Sequence, residues 1–190
     1  ILKGERTALN LMQRLSGIAT TTSEYVNLIE GTSARLLDTR KTTPTMRILE
    51  KYAVKTGGGT NHRIGLFDMI MLKDNHIDFA GGIEKAIDRT LQYLKDKQLD
   101  LKIEIEVRNF EELQRVLAKG GVNRIMLDNF SVEDTQKAVK MIDHKYEIES
   151  SGGITAENIL SYAQTGVDFI SVGALTHQIK SIDLSLLAED

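Results

Sequence analysis

The chain has no cysteine and no tryptophan, and a single proline in 190 residues. Without cysteine there are neither disulfides nor thiolate metal sites, and a reducing compartment, the cytoplasm, is the expected location. Long apolar runs are missing as well. The most apolar segment, Ile64 to Leu72, is interrupted by Asp68 and is far too short to span a bilayer. Charge of one sign is also scarce: 24 Lys and Arg face 27 Asp and Glu, for a net charge of −3. That balance gives no reason to expect nucleic acid or an anionic membrane as partner. What remains, 41% hydrophobic and 27% charged residues, is an ordinary globular composition able to build one substantial core. A local basic cluster in such a chain therefore belongs to a specific site.

Periodicity organises the chain into alternating elements. Ala8, Leu9, Met12, Leu15 and Ala19, then Val26 and Ile29, recur at helical spacing, which predicts leading helices within residues 1–30 and a stop at Gly31. A buried strand is expected at 34–38. A helix follows after Pro44 and ends at Gly57-Gly58-Gly59. The strand Asp68–Leu72 then runs out into Lys73-Asp74-Asn75-His76, read as a polar strand end, and Gly82–Leu94 is helical. Further strands begin near 102, 124, 146 and 168, each followed by a helical pattern. Strand–helix alternation with short loops means parallel strands joined by right-handed crossovers. Six strands are too few for a closed eight-stranded barrel, so the expected fold of residues 1–190 is an open or incomplete α/β barrel, with a doubly wound sheet as the alternative. The amphipathic pattern starts almost at Ile1, and a further segment upstream is expected.

In parallel α/β folds the residues just past each strand converge on one site. Asp38-Thr39-Arg40-Lys41-Thr42-Thr43-Pro44 places two adjacent cations and several hydroxyls at the first strand's exit, with the proline expected to stop the strand. Lys73 ends the second. In Ile103-Glu104-Ile105-Glu106-Val107 alternation sends the isoleucines under the helices and both glutamates inward. Such inward charges need a cation or metal. For the deeper Glu104 a structural counter-ion, Lys73 or another, is expected, whereas Glu106 and Asp128 near the mouth suit an oxygen-only Mg²⁺ site shared with substrate. Ser151-Gly152-Gly153 and the loop at Gly173 are expected to lead into helix N-termini that hold a phosphate. Arg40, Lys41, His62, Arg63 and Lys73 are five potential cations within 34 residues. Together they point to a polyanionic ligand, a phosphorylated and carboxylated small molecule.

The ordered motifs Gly4-Glu5-Arg6, Ser16-Gly17-Ile18-Ala19-Thr20, Asp38 to Pro44, Gly57-Gly58-Gly59 with Asn61-His62-Arg63, Leu72-Lys73-Asp74-Asn75-His76, Leu127-Asp128-Asn129-Phe130 and Ser151-Gly152-Gly153-Ile154 resemble the quinolinate phosphoribosyltransferases along essentially the whole chain. The resemblance implies an incomplete barrel preceded by a second α/β domain, to which Ile182–Leu186 would return. It implies transfer of the phosphoribosyl group of phosphoribosyl pyrophosphate to quinolinate, with release of pyrophosphate and carbon dioxide. Carried over by motif, Arg40, His62, Arg63 and Lys73 would hold the quinolinate carboxylates, with Lys41 at the ribose or pyrophosphate end. Glu106 and Asp128 would bind ribose hydroxyls and Mg²⁺, and Ser151, Gly152, Gly153 and Gly173 the 5′-phosphate. A homodimer is implied too, in which Arg6 reaches the neighbour's site. One departure is local: Thr45-Met46 stands where the family usually has Gly-Leu, which bears on loop shape rather than chemistry. A transferase for another heterocycle and a non-catalytic phosphate-binding barrel are the alternatives; the acidic pair argues against the second.

Overall fold

The computed structural model describes residues 3–188. Among these, six strands form one parallel sheet: β1 (Arg35–Leu37), β2 (Ile70–Leu72), β3 (Ile103–Val107), β4 (Arg124–Asp128), β5 (Glu147–Ser151) and β6 (Phe169–Ser171), in the spatial order β1-β6-β5-β4-β3-β2. The curled sheet stays open between its edges β1 and β2. On the free edge of β1 runs an extended segment, where the Thr60 N–H donates to the Leu36 carbonyl at 2.8 Å and the Asp38 N–H to the Thr60 carbonyl at 3.2 Å. This added ribbon delivers His62 and Arg63 to the barrel mouth. Ile103, Ile105, Val107, Ile125, Leu127, Ile148 and Ile170 point outward into one apolar cluster shared with the helices. Fully burying each such side chain stabilises the fold by about 1.5–3 kcal/mol.

The helices follow their local signals with three corrections. α1 (Glu5–Leu28) is one continuous helix through the positions where the pattern suggested a break, because Gly17, Ile18 and Thr22 all face inward on one side. α2 (Arg47–Thr56) begins well after Pro44, and β1 ends seven residues before that proline, which opens the turn into the helix instead of stopping the strand. The stretch read as a polar strand end forms a short helix, α3 (Asp74–Ala80), where His76 Nδ1 accepts the Lys73 N–H at 3.1 Å. α4 (Ile83–Lys97), α5 (Phe110–Lys119) and α6 (Val132–Ile142) cover the sheet, the last two capped by Asn109 and Ser131. α7 (Ile159–Ala163) and α8 (Ala174–His177) are short. The segment beyond α8 lies against α1, with the Ile182 N–H on the Gln13 carbonyl at 3.1 Å and the Leu184 N–H on Gln13 Oε1 at 3.0 Å. Among the described residues no helix is long and apolar enough to cross a membrane.

Candidate active site

The C-terminal ends of the strands open into a cavity of about 770 Å³. Arg40, Lys41, His62, Arg63, Lys73, Glu106, Asp128, Ser151, Gly152, Gly153 and Gly173 all line it. Arg6 does not: it sits exposed in the first turn of α1. The loop after β1 is strapped down from behind by charged residues of helices. Arg14 of α1 donates to Glu50 Oε1 at 2.8 Å, to Thr43 Oγ1 at 2.9 Å and to the Thr176 carbonyl at 2.9 Å. Thr176 Oγ1 donates to the Lys41 carbonyl at 2.8 Å, and Arg47 NH2 to the Arg40 carbonyl at 3.3 Å. Asp38, although it heads the motif, faces away from the ligand space. Its carboxylate bonds Lys51 of α2 and accepts the His62 N–H at 2.8 Å and the Asn61 amide at 2.7 Å. These bonds fix where Arg40, Lys41, His62 and Arg63 stand before any ligand arrives.

The mouth has a basic side and an acidic side. Burial and the neighbouring charge of Arg40 lower the pKa of Arg63, the direction expected of a cation waiting for an anion. Lys73, half exposed, reaches Glu106 Oε2 at 3.1 Å. Asp128, on the neighbouring strand, has its Oδ2 capped by the Asn129 amide at 2.8 Å. Gly152 has φ +91° and packs so tightly on Asn129 that a Cβ would lie 2.2 Å from Asn129 Oδ1. Gly173 is bounded by His177 and Lys41, its notional Cβ 2.8 Å from His177 Nε2. The helix expected directly behind Gly153 begins only at Ile159, so left-handed glycine backbone, and no helix terminus, shapes that wall.

Below the mouth the barrel interior is charged. The inward residues of β3, β4 and β5 stand in register as Glu104, Arg124 and Glu147, and as Glu106, Met126 and Glu149. Arg124 NH1 is 3.2 Å from Glu149 Oε2 and 4.0 Å from Glu104 Oε2, its other nitrogens reach Glu147 at 3.1–3.2 Å, and its guanidinium lies 3.8 Å over the Phe169 ring. Glu104 therefore has structural counter-ions, as expected, but they are His62 and Arg124 instead of Lys73. His62 Nε2 sits 3.1 Å from Glu104 Oε2 and 3.3 Å from Glu149 Oε2. Against the cost of burial, both carboxylates favour a proton on Nε2. Burial and the charge of Glu149 push Glu104 up to about 7, while His62 holds Glu149 down despite its burial.

Sequence patterns missed several contributors. His177 lines the cavity one helical turn after Gly173, and the Thr176-His177 pair directly after the Gly-Ala-Leu loop was the available signal. Arg14, Glu50, Lys51 and Arg124 gave none, since each lies in an ordinary helical or strand pattern and acts on a residue distant in sequence.

The chain forms a parallel, open α/β barrel with cations on one wall of its C-terminal mouth, two carboxylates on another and a glycine loop on a third, the class of barrel whose active site lies at the carboxyl ends of its strands. More narrowly, the chain belongs to the quinolinate phosphoribosyl transferase family: residues 18–187 match the family model for the quinolinate phosphoribosyl transferase C-terminal domain. It is 45% identical, over 98% of its length, to the mitochondrial quinolinate phosphoribosyltransferase (decarboxylating) 2b of Nicotiana tabacum, and covers 56% of that protein. It is also 45% identical, over 98% of its length, to the probable nicotinate-nucleotide pyrophosphorylase (carboxylating) of Bacillus subtilis, covering 63% of it. The solved nicotinate-nucleotide pyrophosphorylase of Francisella tularensis superposes with a TM-score of 0.91 at 50% identity, over 97% of this chain and 64% of that one. The chain thus spans less than two thirds of these relatives' own length.

Proposed function

We propose that this chain supplies the catalytic barrel of an enzyme that joins quinolinate to phosphoribosyl pyrophosphate, releasing pyrophosphate and carbon dioxide and leaving nicotinate mononucleotide, a step of de novo NAD synthesis. The observation that carries this is that one cavity is lined by Arg40, Arg63 and Lys73, which suit a dicarboxylate, by Glu106 and Asp128, which suit ribose hydroxyls, and by the 151–153 loop with Gly173, which suits a 5′-phosphate. Lys41, packed beside Gly173, serves the ribose or pyrophosphate end. In this cavity the pyridine nitrogen is aimed at the anomeric carbon. Glu106 and Asp128 favour the positive charge that grows on the ribose as the bond to pyrophosphate breaks. The cationic pyridinium nitrogen stabilises the carbanion left on the adjacent carbon when carbon dioxide departs, and a proton from water then completes that carbon, so no protein base is required and positioning carries the rate.

Glu106 and Asp128 face one cavity from adjacent strands and offer only oxygen, a donor set that fits Mg²⁺ completed by substrate oxygens. When bound there, Mg²⁺ supplies charge neutralisation to the departing pyrophosphate. Arg6, exposed and away from its own cavity, acts on the neighbouring site of a homodimer in this proposal, and the absence of cysteine suits a cytoplasmic setting. The test uses the full-length protein, with carbon dioxide and pyrophosphate release as the assay. Asp128→Asn is expected to lower turnover at least about tenfold while leaving the calorimetric affinity for quinolinate nearly unchanged. Lys73→Met is expected to weaken quinolinate much more than nicotinate, which has one carboxylate fewer. Loss of quinolinate binding in the first variant, or equal losses for both ligands in the second, would sink the assignment.

A further inference from the structure

His62 borders the cavity, yet neither of its ring nitrogens faces it. Nδ1 accepts the Arg63 N–H at 2.7 Å. Nε2 is withdrawn from solvent and lies between Glu104 Oε2 and Glu149 Oε2, carboxylates that are themselves fully buried. A nitrogen that accepts an N–H carries no proton, so the ring proton sits on Nε2 and points down into the barrel. The main chain is pinned as well: its N–H donates to Asp38 Oδ1 at 2.8 Å and its carbonyl accepts Lys51 Nζ at 2.9 Å. Arg63, the next residue, inherits this fixed frame. His62, Glu104 and Glu149 also form the one cluster among the described residues with the spacing of a three-ligand metal site. The Nε2 proton and the Arg124 guanidinium 3.2 Å from Glu149 speak against a metal and for a cation already supplied by the protein.

We propose that Glu104 and Glu149, backed by Arg124, are positioning residues that turn His62 away from the ligand, so that His62 forms the cavity floor and sets Arg63 while Arg40, Arg63 and Lys73 make the carboxylate contacts. The identity of the ligand rests on the function proposed above; the orientation of His62 does not. The test is nitrogen NMR of the full-length protein with ring-labelled histidine, the His62 signals being those lost in His62→Gln. Without ligand, His62 is expected to show a bare Nδ1 and a protonated Nε2. Saturating quinolinate is expected to leave that pattern in place. The isosteric Glu149→Gln is expected to disturb the Nε2 signal and to raise the quinolinate dissociation constant about tenfold, with turnover at saturation changed far less. Glu104→Gln provides a second variant should the first fold poorly. Three results would overturn the proposal: a new hydrogen bond from Nε2 when quinolinate is added, wild-type affinity in both variants, or a stoichiometric divalent cation that resists chelation and is lost with Glu149. A wild-type protein that ignores quinolinate removes the proposed substrate, while the ligand-free spectrum still decides the orientation of His62.

Discussion

The two faces of the same strands obey opposite rules. Outward, β3 and β4 carry Ile103, Ile105, Val107, Ile125 and Leu127, packed under helices with almost no exposure. Inward, the same two strands carry Glu104, Glu106, Arg124 and Asp128, where barrels of this kind more often stack branched apolar residues. Removing a group from the outer face leaves a void; removing one from the inner face leaves a charge without its partner. The outer face therefore holds the fold together. The inner face costs desolvation and is kept for what it positions at the mouth.

The largest expected effect tests that division on the inner face. Arg124→Met deletes the guanidinium beside Glu149 and should cost about 3–5 kcal/mol in urea unfolding, because buried carboxylates are left uncompensated. Replacing Glu104, Arg124 and Glu149 together by Met should recover most of that loss, since an apolar interior has no charges to desolvate. The triple variant should nevertheless bind quinolinate poorly. Full stability together with full binding would break the contrast.

On the outer face Ile105→Ala should cost about 3–4 kcal/mol, a transfer loss plus a cavity at a fully buried site. The folded fraction should bind ligand like the wild type. A large change in affinity would show that the two faces are mechanically coupled.

The outer face was legible from sequence because a period of two is a local property: Ile103, Ile105 and Val107 on one side force Glu104 and Glu106 to the other whatever the rest of the chain does. The cations Arg40, Lys41 and Lys73 were legible for a similar reason, each following closely on an apolar run. What lay beyond reach is the pairing across the barrel. Glu149 lay two residues before the Ser151-Gly152-Gly153 loop and Arg124 began a strand, but nothing local says that residues 62, 104, 124 and 149 meet. The inward buried Glu50 and Lys51 of α2 were hidden likewise, since each is an ordinary helical residue until Arg14 and Asp38 arrive from elsewhere. The helix expected behind Gly153 failed on a smaller scale: two left-handed glycines and the turn after them use up the residues that would have formed its first turn.

A somewhat smaller effect follows from the proton held by Glu104. Burial and the charge of Glu149 raise its pKa from 4.5 to about 7 in the folded protein, so folding binds this proton more tightly than the unfolded chain does. The associated stability is fully present below the unfolded value and is lost as pH rises through the folded one. Between pH 4.5 and 7 the decline should amount to about 2–3 kcal/mol from this group. It should be missing in Glu104→Gln. Denaturant unfolding at both pH values checks this, and equal slopes for the two proteins would place the interior proton elsewhere.

The smallest expected effect falls where the chain has left the sheet and neither face dictates the residue. Thr45 has φ +68°, a left-handed conformation that a β-branched side chain adopts only under strain. It is exposed and makes none of the side-chain hydrogen bonds that strap the rest of this loop. The left-handed conformation costs an ordinary residue about 1–2 kcal/mol, and glycine escapes that cost. Glycine also has more freedom to lose on folding, which returns about 0.5–1 kcal/mol of the gain. Thr45→Gly should therefore raise stability by about 0.5–1 kcal/mol in denaturant unfolding. Ligand affinity should stay put, because Arg40 and Lys41 are held through Arg47 and Thr176 and not through residue 45. A loss of stability would mean that the threonine side chain anchors the loop. A change in affinity would mean that the turn into α2 helps to set the basic wall of the cavity.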